Sequence, residues 1–448
     1  MWLAAPLIAL GAAWVLLLLE VEPVPTWFYV FAWYPTLVLL DGIARRLDRG
    51  RHLFADWRLA ISLFAWSAPI WLAFEAVNLR LANWYYVFLP RDPPERWAGI
   101  LLSFATVVPA VVLAERFWRT MGVGQRWRSR PVPPGVRDVR RLQWAGGITL
   151  ALVLLFPHWL YPLTWGAALL IADPVVYRRR PELSLMADLE RGEWGRVGRL
   201  MLGGVLIGGI WEGYNAVARG KWIYTVPLLE QLKWFEMPPL GFVGFPFFAL
   251  EAWAMYHALA VLGVAVPVTD EHGRARASSD ERDALPAGSS ALDRARPRSS
   301  VFVSARLRWS ALAITLAIGF SLGTLAAMER WTISSTVPAI ELPAAPRLTS
   351  PWEVSRLTPP AVAEQLGVST DAAAAIVESA RLMTLRGIGS AHARELLRAG
   401  VPSVCSLAAS NPTDLWRRLH TIHPRLGRRP TEAEVRVWVR AASKACER

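Results

Sequence analysis

Trp211-Glu212-Gly213-Tyr214-Asn215-Ala216-Val217-Ala218-Arg219-Gly220-Lys221-Trp222-Ile223-Tyr224 sets a carboxylate and an amide three residues apart at the end of an apolar, glycine-rich run. Phe235-Glu236-Met237-Pro238-Pro239 then leads into a second apolar run that holds Glu251. A lipid-facing carboxylate is costly, so an ionisable residue at membrane depth points to a functional site. The stretch also has an earlier counterpart. Phe74-Glu75-Ala76-Val77-Asn78 matches Trp211 to Asn215, and Trp84-Tyr85-Tyr86 matches Trp222-Ile223-Tyr224.

Working outward, the match continues in order. Trp27, Tyr29, Trp33 and Asp41 correspond to Trp159, Tyr161, Trp165 and Asp173, and Glu115 corresponds to Glu251. Rare residue types recurring in the same order indicate an internal repeat of a four-helix unit, repeat A over 1–120 and repeat B over 142–266. An even number of spans per unit gives both copies one orientation.

The 448-residue chain is 54% hydrophobic, and several of its runs reach 18 or more apolar residues, which predicts transmembrane helices. Eight are expected in the repeats, near 2–20, 27–43, 58–80, 97–117, 142–156, 160–177, 198–217 and 239–266. A polar linker is expected over 267–306, a ninth transmembrane helix over 307–328, a Pro-rich tether over 337–351 and a soluble helical domain over 352–448. The fold class is all-α, a polytopic bundle of about nine spans plus a small α-helical domain. Net charge is +13, and only Lys221, Lys233 and Lys444 are lysines. Arginines crowd alternate loops, so the positive-inside rule sets the N-terminus in the cytoplasm of a cell inner membrane, and nine spans set the C-terminal domain outside. Cys405 and Cys446 form no CxxC pair. They are expected as a disulfide on an external face and as free thiols inside.

Glu75 with Asn78, and Glu212 with Asn215, each share a helix face. Together with Glu251 they are the candidate intramembrane polar site, where a carboxyl in apolar surroundings is a candidate general acid. The alternative is interhelical bonding that holds the bundle. Trp-x-Tyr is expected at the outer interface, Gly241 and Gly244 at a close helix contact, and Asp41 and Asp173 in surface ion pairs beside arginine clusters. Pro238-Pro239 is expected to start a helix or a bend. No metal or cofactor is expected, because no ligand spacing, P-loop or GxGxxG occurs. On Trp211-Glu212 and Phe235-Glu236-Met237-Pro238 the membrane part resembles the bacterial and fungal lycopene cyclase type, without that family's double-glutamate motif. The resemblance implies a lipidic or isoprenoid substrate and acidic residues that protonate a polyene.

Leu385-Arg386-Gly387-Ile388-Gly389-Ser390-Ala391-His392-Ala393-Arg394-Glu395-Leu396-Leu397 follows the pattern h-x-G-h-G-x-x-x-A-x-x-h-h. With Arg428-Arg429-Pro430-Thr431-Glu432-Ala433-Glu434-Val435, where Thr431 and Glu434 predict a capping box, it resembles tandem helix-hairpin-helix domains over about 352–445. That resemblance implies DNA binding without sequence preference, or a protein partner, through Arg386, Gly387, Ile388, Gly389, His392 and Arg394. Two functions follow. One is a membrane-anchored module that binds DNA or a protein, and the other is a membrane enzyme or carrier for a lipidic substrate.

Overall fold

A computed structural model describes residues 3–48, 50–131, 136–227, 233–269, 300–340, 350–422 and 428–447. Helices dominate. The first half contains α1 (Ala4–Leu18), α2 (Val24–Asp48), α3 (Trp57–Leu81), strand β1 (Trp84–Val87), α4 (Pro93–Phe104) and α5 (Val107–Thr120). The second contains α6 (Val136–Leu155), the short α7 (Pro157–Leu160), α8 (Thr164–Arg179), α9 (Leu185–Glu190), α10 (Gly195–Val217), strand β2 (Lys221–Tyr224) and α11 (Gly244–Val261). After α12 (Ser300–Trp331) the C-terminal domain comprises α13 (Pro351–Arg356), α14 (Pro359–Leu366), α15 (Thr370–Thr384), α16 (Gly389–Arg398), α17 (Val404–Ala408), α18 (Pro412–Ile422) and α19 (Glu432–Cys446). The expected linker lies mostly outside the described residues, at 270–299, as does most of the tether, at 341–349.

Among the described residues five segments are long and apolar enough to cross a membrane, fewer than the nine expected: Val24–Asp48, Trp57–Leu81, Pro93–Thr120, Pro157–Arg179 and Trp309–Trp331. The shortfall has physical causes. Helix α1 has 15 residues. Helix α6 begins with four charges in its first six residues, and α10 carries Arg196, Arg199 and Glu212 between its glycines. Helix α11 has 18 residues and holds Glu251 and His257. All four nonetheless pack into the bundle, α1 on α2, α6 on α8, and α10 on α5 and α11.

Glycine sets how closely α10 can approach. A Cβ on Gly204 would lie 2.3 Å from the Phe245 carbonyl oxygen, and one on Gly208 would lie 2.3 Å from the Phe245 ring. Gly241 and Gly244 meet side chains, Met237 and Trp165, instead of a helix backbone. The segment after Pro238 opens as a 3-10 turn over Pro239–Val243, as the proline pair predicts.

Asp41 and Asp173 are buried, not at the surface. Asp41 accepts from Leu53 N at 2.8 Å and from the buried Arg116 at 3.0 Å. Asp173 accepts from the Ser184 hydroxyl and from the backbone N–H groups of Leu185 and Met186. Each holds the turn that follows its helix, which satisfies the carboxylate without solvent.

The Trp-x-Tyr segments are strands. β1 and β2 pair antiparallel, Trp84 with Tyr224, Tyr85 with Ile223 and Tyr86 with Trp222. The chain leaving α12 then covers the other edge of β1. Tyr86 N donates to Thr332 O and Ser334 N to Tyr86 O, each at 2.8 Å, and Val337 N donates to Leu89 O at 2.8 Å. No β1 edge is left open, which removes the unpaired polar row that an apolar environment penalises.

We expect Gly204→Ala to lower the thermal midpoint of the detergent-solubilised protein, because overpacking against a backbone atom costs roughly 1–3 kcal/mol. Gly213→Ala, whose Cβ meets nothing within 4 Å, is expected to leave the midpoint unchanged or slightly raised. Equal midpoints for the two variants would contradict the close α10–α11 approach.

Candidate functional site

The site is built where α3 and α10 turn into strands. Asn78 locks the first turn: its Oδ1 accepts from Asn83 N at 2.9 Å and Trp84 N at 3.3 Å, and its Nδ2 donates to Trp84 O at 2.9 Å. Asn215 locks the second in the same way, accepting from Trp222 N and donating to Trp222 O, both at 3.0 Å. Strand alternation then sends Trp84, Tyr86, Trp222 and Tyr224 to one face of the ladder and Tyr85, Val87, Lys221 and Ile223 to the other.

The first face returns to the carboxylates one helical turn before each asparagine. Glu75 Oε1 accepts from Trp71 Nε1 at 2.9 Å, Trp84 Nε1 at 3.0 Å and Tyr86 Oη at 2.5 Å. Glu212 Oε1 accepts from Tyr224 Oη at 2.9 Å. Both glutamates are fully buried, and the Oε2 atom of each has no hydrogen-bond partner among the described residues. Burial, with the adjacent carboxylate, pushes the Tyr86 and Tyr224 phenols well above the ordinary tyrosine range, so both serve as neutral donors.

These aromatics form part of the wall of a cavity of about 540 Å³. Fourteen of its 35 lining residues are aromatic, drawn from both halves of the chain. Trp71 and Trp211 pack at 5.7 Å between ring centroids, and Phe248 lies 5.4 Å from Trp71 and 5.9 Å from Trp211. Its size lies within the range of small-ligand sites, and its lining is predominantly apolar.

Glu251 stands apart from this pair. Helix α8 is broken at Trp165-Gly166, and Glu251 Oε1 accepts from Gly166 N at 2.7 Å and Ala168 N at 2.9 Å. It therefore caps the restarted helix from outside, satisfying N–H groups that a helix start leaves unpaired. Glu115, matched to it in sequence, instead binds Arg199 at 2.7 Å. The sequence pairing of Glu115 with Glu251 thus does not carry a shared role. Sequence reasoning also did not single out Trp71, Tyr86 and Tyr224 as carboxylate partners. The period-2 Trp-x-Tyr spacing just after Glu-x-x-Asn was the available signal.

The C-terminal residues are divided. Ile388 is buried in its own domain beneath Leu396 and Trp438. His392 is also interior, 2.9 Å from Glu395 and 4.9 Å from the Trp438 ring. Arg394 is exposed. Gly387 and Gly389 have φ of +86° and +68°, which glycine adopts freely, and both face the membrane part. A Cβ on Gly387 would lie 2.4 Å from Val87 Cγ1, and one on Gly389 would lie 2.7 Å from Ser335 Cβ. Arg386 pairs through both guanidinium nitrogens with the buried Glu236, at 2.9 and 2.5 Å. Val437 joins Tyr85, Val87, Phe88 and Ile223 in one apolar cluster. The second face of the ladder is thus the docking surface for the C-terminal domain. Within that domain a Cys405–Cys446 disulfide ties α17 to α19, and Thr431 with Glu434 makes the expected capping box.

Residues 355–445 match the family model described as Domain of unknown function (DUF4332). No curated protein and no solved structure matches the chain.

The geometry separates two kinds of polar residue. Asn78→Ala strands three backbone groups and is expected to cost about 3 kcal/mol of stability, at roughly 1 kcal/mol per unpaired group at the low end. Glu75→Gln keeps the Oε1 acceptor for all three donors, so its thermal midpoint is expected to stay much closer to wild type. The reverse ranking in thermal-shift measurements would overturn the assignment of Asn78 to the turn.

Proposed function

We propose that this is a multi-pass membrane protein that takes an apolar, isoprenoid-like lipid into the aromatic cavity, as an enzyme or carrier. Glu75 and Glu212 would act on the ligand through the Tyr86 and Tyr224 hydroxyls. The observation that carries the reading is the cavity itself, an aromatic-walled space between the two halves with a carboxylate-bound tyrosine from each half at its wall. Aromatic faces suit branched or unsaturated chains, and a hydroxyl bonded to a carboxyl can pass a proton between it and a bound ligand.

The internal repeat belongs to the same proposal. The matched residues make matched bonds: Glu75 and Glu212 to the tyrosines, Asn78 and Asn215 to the strands, Asp41 and Asp173 to the turn twelve residues on. The ladder register is symmetric in the same sense, as a pseudo-twofold axis requires: Tyr85 pairs with its own counterpart Ile223, and the pairs Trp84–Tyr224 and Tyr86–Trp222 exchange. We infer nine crossings, with α1, α6, α10 and α11 added to the five long segments. Parity supports α11 in particular: β2 and residues 332–337 lie on one side of the bundle, so an even number of crossings must separate them. The C-terminal domain enters this reading as a docked cap instead of a nucleic-acid module, because Gly387 and Gly389 face the ladder. With arginine-rich loops inside, the cap lies outside, where a Cys405–Cys446 disulfide is stable.

Two measurements test this. Geranylgeraniol titrated into the purified protein is expected to give a saturable change in tryptophan fluorescence. Ser103→Trp, which fills the cavity from its wall, is expected to abolish it, while Glu75→Gln with Glu212→Gln should keep binding within about twofold and lose any conversion of the ligand. No saturable response in wild type sinks the proposal. In intact cells, a thiol-reactive mass tag is expected to label the chain only after reduction. Labelling without reduction would place the C-terminal domain inside.

A further inference from the structure

A second cavity, of about 430 Å³, lies where the ends of α1 and α10 meet the C-terminal domain. Its apolar side is Trp14, Leu17 and Leu18 of α1, and Leu18 is 76% exposed. Its polar side carries Arg219, Lys221 and Arg386, with Glu20 at the rim.

The charges here do not cancel. Arg219 pairs with Glu22 and stacks over the Trp352 ring at 4.1 Å. Arg356 pairs with Glu20, and Arg386 takes Glu236. Lys221 has no carboxylate of its own. Its Nζ is 3.6 Å from the same Glu236, beyond hydrogen-bond reach, and donates to Ala216 O at 2.8 Å. Around Glu236 two cations, Arg386 and Lys221, share one carboxylate, which leaves one positive charge there. That charge sits on a side chain only 17% exposed, with three N–H donors and one described acceptor. Burial lowers the Lys221 pKa from the ordinary lysine value, with Glu236 opposing, so the ammonium is held at a cost that an anion would remove.

We propose that this cavity binds the anionic headgroup of a membrane lipid, with Lys221 contacting the phosphate and the acyl chains lying along the exposed flank of α1. The site uses residues from the membrane part and from the C-terminal domain, so an occupying lipid holds the two together. Basic pockets at helix ends recognise anionic lipids in this way, by charge at the interface and apolar contact below it. Lys221 stands at the wall of both cavities, but the inference does not rest on what the aromatic cavity binds, and the two can fail separately.

The test uses the full chain in nanodiscs of phosphatidylcholine containing 10% phosphatidylglycerol, with bound lipid counted by native mass spectrometry on release. One phosphatidylglycerol is expected to be retained at least tenfold over its bulk proportion. Lys221→Gln is expected to reduce that enrichment at least fivefold, and Lys221→Arg to preserve it. Leu18→Glu adds a repelling carboxylate at an exposed rim position and is expected to reduce enrichment even if Lys221→Gln does not accumulate, whereas Leu18→Gln should not. Enrichment unaffected by both Lys221→Gln and Leu18→Glu, or no enrichment in wild type, overturns the proposal. Displacement of the lipid by 10 mM inorganic phosphate would show a free-phosphate site and overturn the lipid assignment.

Discussion

The structure depends on two asparagines that hydrogen-bond backbone at the ends of apolar helices. Where a helix stops inside or at the edge of an apolar medium, its last groups must find partners or cost a few kcal/mol each. Asn78 and Asn215 supply partners from within the same chain segment and so fix the direction in which the following strand leaves. Once that direction is fixed, the alternation of the strand decides everything on both of its faces. Trp84, Tyr86 and Tyr224 turn inward to the carboxylates and the cavity. Tyr85, Val87 and Ile223 turn outward to the C-terminal domain.

The ladder is therefore a partition. On one side lies an aromatic cavity whose wall carries the tyrosine hydroxyls backed by Glu75 and Glu212, with Asn83, Arg96 and Ser103 also at the wall. On the other lies a docking surface closed by the Arg386–Glu236 pair and by contacts at Gly387 and Gly389. Arg386 adopts a φ of +40°, a conformation that non-glycine residues seldom take, and it sits between its ion pair and the glycine packed on Val87. Both halves of the partition require small groups at close contacts, which explains why glycine recurs in α10 and in the turn before α16.

The two matched stretches of the proposed repeat differ in structure where their surroundings differ. The turns after Asp41 and Asp173 and the locks at Asn78 and Asn215 are alike because each solves the same local backbone problem. Glu115 and Glu251 do not persist in role. α8 is broken at Trp165-Gly166 and offers bare N–H groups for Glu251 to cap, whereas α2 runs on past the matching Trp33 and Glu115 instead meets Arg199.

Local spacing by itself determined much of this protein. The apolar runs named the helical segments, Glu-x-x-Asn followed by Trp-x-Tyr marked both carboxylate–tyrosine pairs, Pro238-Pro239 marked a bend, and Thr431 with Glu434 marked the cap of α19. These features depend on residues within a few positions of each other, so the sequence carries them directly. What only the tertiary structure decided were the pairings between distant segments: β1 with β2 and with residues 332–337, Glu251 with the break in α8, and Arg386 with Glu236. It also decided that the Gly387 and Gly389 turn is covered, and that Asp41 and Asp173 are buried. A carboxylate or a glycine reads the same in sequence whether solvent, a backbone N–H or a neighbouring side chain meets it, and that neighbour is set by how helices far apart in the chain pack.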